Sequence, residues 1–189
     1  MFTGIIREVG HLKGVKKVGG GLKLVIESKK IHALSEGDSV SVNGTCLTVS
    51  KKTKNGFEAD VVEETLLRTN LGKMTAGVQL NLEPSLKIGD SLDGHFVTGH
   101  VDAVGKTVKT GIVITVEFPK NLAPFIAKKG SVAVNGVSLT VMGVNKNTFS
   151  VALVPFTRAN TNLGEVEAGS IVNLEVDLIA RYLYNFKKR

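Results

Sequence analysis

Apolar and polar residues alternate in short runs along most of this chain. Leu22-Lys23-Leu24-Val25-Ile26, Ser39-Val40-Ser41-Val42, Cys46-Leu47-Thr48-Val49 and Val78-Gln79-Leu80-Asn81-Leu82 alternate or run apolar, carry β-branched residues and are punctuated by Gly or Asn. A period of two sends one face of each segment inward, so these runs predict short strands. Asn43-Gly44 and Asn135-Gly136, each flanked by apolar alternation, are the strongest hairpin signals in the chain, because a tight two-residue turn needs φ > 0 at both central positions. Only the end departs from this pattern. In DLIARYLYNFKKR, Leu178, Ile179, Tyr182, Leu183 and Phe186 recur at helical spacing, which predicts one apolar stripe on a helix about ten residues long. Basic residues at its end suit the helix dipole. A helix this short is marginal alone, so the stripe must pack on its own barrels or on another subunit.

The strand pattern occurs twice. SVSVNGTCLTV (39–49) is nearly repeated as SVAVNGVSLTV (131–141), Thr69-Asn70-Leu71-Gly72 as Thr161-Asn162-Leu163-Gly164, and Asn81-Leu82-Glu83 as Asn173-Leu174-Glu175, each 92 positions on. Nearer the start, Thr3-Gly4 matches Thr98-Gly99 and Val9-Gly10 matches Val104-Gly105 at an offset of 95. The second half has therefore lost three residues from an early loop, placed at Gly19-Gly20-Gly21 of the first. Several separated blocks in one register mark an internal duplication. About six short strands in each half favour a small closed barrel, since closure removes exposed edges. The predicted fold is all-β: two similar six-stranded antiparallel barrels over 1–90 and 91–177, and a short C-terminal helix over 178–189.

Composition narrows the function. The chain has 189 residues, 42% of them hydrophobic, enough for an ordinary core. No run approaches the roughly 18 to 20 apolar residues of a membrane span, and the start lacks the apolar core of a secretory signal. A single cysteine cannot form an internal disulfide and fits a reducing compartment, so a soluble cytoplasmic protein is expected. The net charge of +7 comes from dispersed lysines, with two tyrosines and no tryptophan for stacking, which argues against nucleic acid.

Few residues offer chemistry. His95 and His100 in DGHFVTGHVD lack the partners of a zinc site, with one cysteine and no HExxH motif, so no metal is expected. His100 is the more interesting, because the first repeat has Ile5 in its place. Cys46 and Ser138 occupy equivalent positions of the twin segment. Either could be an ordinary strand residue, and spacing alone shows no activating base for either.

Taken together, MFTGII, VNGTCLTV, EETLLRTNLG, GHFVTGHVD, VNGVSLTV and VNLEVDLIARYL resemble the riboflavin synthases of the α-subunit type, a family of duplicated lumazine-binding barrels. The resemblance covers nearly the whole chain in order. It implies Greek-key barrels of lumazine-binding type and a C-terminal helix that assembles a homotrimer, and it admits lumazine synthase as a further partner. The implied reaction is the dismutation of two molecules of 6,7-dimethyl-8-ribityllumazine to riboflavin and 5-amino-6-ribitylamino-uracil by transfer of a four-carbon unit. The substrate supplies the reactive groups, so no cofactor is expected. Two copies of one substrate need two similar sites that face each other, formed in this family between neighbouring chains, and the main gain is proximity and orientation.

Carried over by matching motif, the resemblance places Gly4, Ile5 and Ile6 in the N-barrel pocket, with Cys46, Leu47 and Thr48 and a strand over 60–65 (Asp60, Val61, Val62, Glu63, Glu64, Thr65). It places His100, Val101, Asp102, Lys129, Ser138, Leu139, Thr140 and the run Val154, Pro155, Phe156, Thr157, Arg158 and Ala159 in the C-barrel pocket. The reaction removes a proton from the C7 methyl of one lumazine and adds a nucleophile at C7 of the other. His100 is the implied general base, Cys46 and Ser138 are the candidates for contact at C7, and Ser39 and Asp177 match further polar positions near the reacting carbons. Two departures stand out: Asn135 replaces an aspartate common before Gly136, and PFTRAN replaces the commoner PETL. A lumazine-binding antenna protein without catalysis is the alternative, and the retention of Cys46, Ser138 and the following threonines argues for the enzyme. A pure scaffold explains neither the His100 asymmetry nor the motif order.

Overall fold

A computed structural model describes residues 1–31 and 34–187; Lys188 and Arg189, the end of the segment expected to be helical, lie outside the described residues. Twelve strands form two closed antiparallel barrels. The first holds β1 (Glu8–Val18), β2 (Gly21–Glu27), β3 (Ser39–Val42), β4 (Thr45–Thr53), β5 (Gly56–Val61) and β6 (Gln79–Pro84) in the order 1-2-5-4-3-6. The second holds β7 (Ala103–Lys109), β8 (Val113–Glu117), β9 (Ser131–Val134), β10 (Val137–Asn145), β11 (Thr148–Ala152) and β12 (Ile171–Val176) in the matching order. In each, three hairpin-connected strands are joined by a fourth that returns beside the first, which is a Greek key. The expected fold is therefore observed. The first hairpin is the shorter one in the second half, by more than the three residues expected: Leu12 pairs with Ile26, 14 positions on, whereas the equivalent Thr107 pairs with Val116, 9 positions on.

Alternation builds each core. In β4, Thr45, Leu47 and Val49 are buried, while Cys46 is half-buried and Thr48 is exposed. Leu12, Leu24, Ile26, Val40, Phe57 and Leu80 complete the first core, and Ile114, Val116, Phe149, Val151 and Leu174 occupy the second. Both Asn-Gly hairpins turn as expected, with φ of 48° and 77° at Asn43-Gly44 and 46° and 79° at Asn135-Gly136. The two turns meet: a Cβ on Gly44 would lie 2.6 Å from the Gly136 nitrogen, so this position has no room for a side chain.

Asparagines join the barrels around that meeting point. Asn81 Nδ2 donates to the Asn135 carbonyl (3.0 Å) and Asn173 Nδ2 to the Asn43 carbonyl (2.8 Å), while Asn81 Oδ1 accepts from Asn162 N and Asn173 Oδ1 from Asn70 N, both at 2.7 Å. Asn43 Oδ1 and Asn135 Oδ1 accept from Asn81 N and Asn173 N, both at 2.8 Å. The duplicated asparagines thus form one buried clasp with the symmetry of the repeat. Asn135 serves this clasp, and its amide meets the structural demands of the position without a charge.

The strand expected over 60–65 ends early. β5 stops at Val61, Val62 is extended, and α1 occupies Glu63–Arg68. Glu63 and Glu64 place carboxylates in its first turn, where the helix dipole favours them. The matching α2, Pro155–Asn160, has proline in its first turn, a position whose N–H would go unused. The C-terminal helix α3 spans Leu178–Lys187, as its periodicity predicted. Its contacts to the chain run through Tyr184, whose ring centroid lies 4.9 Å from that of Phe125, and Arg181, which pairs with Asp102 at 2.9 Å. Ile179, Tyr182, Leu183 and Phe186 are each more than half exposed.

Candidate functional site

Two short straps precede the first strand of each barrel and cross between the barrels. Phe2 of one and Val97 of the other pair antiparallel through two backbone bonds (2.7 and 3.1 Å) and are fully buried with Ala133 against Cys46. Each strap turns at a Thr-Gly pair, Thr3-Gly4 and Thr98-Gly99, with φ of 76° and 80° at the glycines. The Gly4 carbonyl accepts from Ser138 N and the Gly99 carbonyl from Cys46 N, both at 2.8 Å. A Cβ on Gly4 would stand 2.6 Å from that of Ser138, and one on Gly99 would stand 2.6 Å from that of Cys46. Glycine is required at both positions by the close approach and by the left-handed backbone.

This crossing regroups the expected residues. Motif matching placed Gly4, Ile5 and Ile6 beside Cys46 and placed His100, Val101 and Asp102 beside Ser138. Within the chain the strap carrying Gly4 lies on Ser138, Ile6 packs on the second core, and the strap carrying Gly99 lies on Cys46. Cross-strand register completes the two walls. Ser39 faces Thr48 and Ser41 faces Cys46 on β3 and β4; Ser131 faces Thr140 and Ala133 faces Ser138 on β9 and β10. The polar side chains of each wall stand on the outer face of the barrel, and Leu47, Val61 and Leu139 point into the cores.

The second wall carries a histidine that sequence reasoning passed over. His95 is buried, its Nδ1 lies 2.7 Å from Ser138 Oγ, and its buried Nε2 meets no partner among the described residues. Burial lowers its pKa by penalising the imidazolium, and the Asp177 carboxylate opposes that shift. Ser138 and His95 are therefore paired, and the ring feels the charge of Asp177. Asp177 also caps α3, its Oδ1 accepting from Ile179 N at 2.9 Å. A signal for His95 existed: it shares the segment DGHFVTGHVD with His100. His100, the expected base, is exposed on the strap that lies on Cys46, its N–H donating to Thr98 Oγ1 at 3.3 Å.

Other expected residues rim the walls. Asp60 is exposed and pairs with Lys23 at 2.6 Å. Val62 and Val154 occupy the position just before α1 and α2, 66% and 59% exposed, and Phe156 is exposed on α2 with Arg158 and Ala159. Thr65 and Thr157 are half-buried. Lys129 takes φ 67° where the first repeat has Gly37 at 91°, a conformation that costs a lysine about 1 kcal/mol or more. Asp102 accepts from Val176 N at 2.9 Å as well as from Arg181, which ties one strap to α3. Among the described residues, no three His, Cys, Asp or Glu side chains gather as metal ligands.

Duplicated Greek-key barrels with paired polar walls define a tandem lumazine-binding protein, and the family model "Lumazine binding domain" matches residues 3–85 and again 98–177. The chain is 42% identical to riboflavin synthase of Mycobacterium tuberculosis, over 97% of this chain and 96% of that one, and 39% identical to riboflavin synthase of Bacillus subtilis, over 98% and 89%. The chain belongs to the riboflavin synthase family. The fold also superposes on LumP complexed with riboflavin, with a TM-score of 0.88 at 24% identity over 93% of this chain and 99% of that one.

Proposed function

We propose that the protein is a transferase that dismutates 6,7-dimethyl-8-ribityllumazine. One molecule gives up a four-carbon unit and leaves as 5-amino-6-ribitylamino-uracil, and the other becomes riboflavin, the last step of riboflavin biosynthesis. The observation that carries this reading is the pair of similar but unequal walls: Cys46 under the strap of Gly99 and His100, and Ser138 under the strap of Gly4 with His95 bonded to it. Shared threonines suit one ring, and unlike reactive groups suit two roles. A buried imidazole held neutral accepts a proton, which fits His95 to removal of the C7 methyl proton through or beside Ser138. Cys46 and Ser138 are the candidates for contact at C7, with Ser39 and Thr48 beside one and Thr140 and Lys129 beside the other. The exposed Val62 and Val154 offer apolar surface to a ring face.

The chain divides into lumazine-binding barrels over 1–90 and 91–177 and an assembly helix over 178–189. The uncovered stripe on α3 supports a homotrimer built on these helices, with the N-barrel wall of one chain facing the C-barrel wall of its neighbour. The expected setting is the cytoplasm, and association with a lumazine synthase is testable by co-sedimentation. The function is tested by incubating purified protein with 6,7-dimethyl-8-ribityllumazine and following riboflavin absorbance. Retained binding without turnover would favour the antenna reading.

A further inference from the structure

Two buried glutamates hold the straps. Glu83, from β6 of the first barrel, accepts from Thr3 N and Thr3 Oγ1 (both 2.7 Å) and from Gly4 N (3.0 Å). Glu175, from β12 of the second barrel, accepts from Thr98 N (2.6 Å), Thr98 Oγ1 (2.7 Å) and Gly99 N (2.9 Å). Both side chains are 3% exposed, so an orphaned partner would find little water to replace them. Each clamped glycine then offers its carbonyl to the other barrel's reactive residue, Gly4 to Ser138 and Gly99 to Cys46. The repeated Thr-Gly pair is explained by this arrangement: threonine supplies the hydroxyl the clamp accepts, and glycine permits the approach.

We propose that Glu83 and Glu175 are positioning residues wired crosswise, Glu83 of the first barrel setting the strap over the Ser138 wall and Glu175 of the second setting the strap over the Cys46 wall. The proposal rests on the reading of those walls as the two lumazine sites. Three donors converge on one carboxyl group in each clamp, and they oppose the burial that raises its pKa. Replacement by glutamine keeps shape and volume but turns an NH2 group toward a backbone N–H, so the strap loses at least one bond without a cavity forming. The hydrogen bonds of each carboxylate run to its strap and none to Cys46 or Ser138, although Glu83 faces Ser41 and Glu175 faces Ala133, one strand from their own barrels' walls.

Cys46, the single cysteine, reports on its own strap. Iodoacetamide alkylation of the full-length protein is followed for wild type, Glu175→Gln and Glu83→Gln, with melting temperatures to confirm folding. Glu175→Gln is expected to raise the alkylation rate about tenfold or more, and Glu83→Gln to leave it within about twofold of wild type. In lumazine turnover both variants should lose kcat about tenfold while KM moves less than about threefold. Should either glutamine variant fail to fold, Thr98→Val and Thr3→Val each remove one clamp bond and should show the same contrast, about threefold in alkylation. An equal rise in both members of a pair, or no rise with Glu175→Gln or Thr98→Val, overturns the crosswise assignment. A wild type that binds lumazine without turning it over overturns the catalytic reading instead, and leaves the alkylation contrast to be judged on its own.

Discussion

The His95 ring and the Ser138 hydroxyl share a hydrogen bond of 2.7 Å, whereas the strap over Cys46 carries the exposed His100. The two walls are therefore unequal by more than the exchange of thiol for hydroxyl. Burial holds the imidazole pKa below its ordinary value, against the pull of Asp177, so the ring is neutral at neutral pH. His95→Gln should lower kcat by about two to four orders of magnitude. The acid limb of the wild-type kcat profile should fall below about pH 6.5 and vanish in the variant. The same depressed pKa gives stability that is present above about pH 6.5 and is lost as pH falls, since the unfolded chain binds the proton first. Unchanged kcat in His95→Gln would make the contact purely structural.

The asparagine clasp predicts coupling between the barrels. Asn81→Ala removes two cross-barrel bonds and Asn173→Ala three, the third being Asn173 Nδ2 to Thr45 Oγ1 at 3.4 Å, and both leave buried partners unmet. Each should cost about 1–3 kcal/mol in urea denaturation. The double variant should deviate from additivity by more than about 0.5 kcal/mol, because both residues belong to one network. Additive losses would mean that the barrels are held independently.

The face of α3 that carries Ile179, Tyr182, Leu183 and Phe186 is more than half exposed among the described residues, and the opposite face is fixed by Tyr184 and Arg181. Removal of the chain from Leu178 onward should convert the proposed trimer to monomers in analytical ultracentrifugation. Ligand binding should persist and turnover should be lost, because the proposed assembly takes its facing walls from neighbouring chains. A truncated protein that stays trimeric and active would refute the assembly role.

Much of this was legible in the chain because repetition and alternation act locally. The Asn-Gly turns, the strands around them and the α3 stripe each follow from a period or a turn residue, and the duplicated blocks fixed two barrels of one kind. The short helix α1 was missed, since Val61-Val62 continues a strand pattern and six residues are too few for a helical period to show. The strap crossing was missed for a different reason. Motif matching assigned Gly4 to the barrel of Cys46, and only the three-dimensional path shows that it leaves that barrel for Ser138. Comparing the halves drew attention to His100, whose difference from Ile5 was visible, whereas the contact of His95 with Ser138 joins residues 43 positions apart and shows only in the fold.

Two molecules of one substrate that meet on two unequal walls must give both products together. Quantifying them as purified protein consumes 6,7-dimethyl-8-ribityllumazine should give one riboflavin and one 5-amino-6-ribitylamino-uracil for every two lumazines lost. Lumazine that stays bound and unchanged, or riboflavin formed without the pyrimidine, would contradict this.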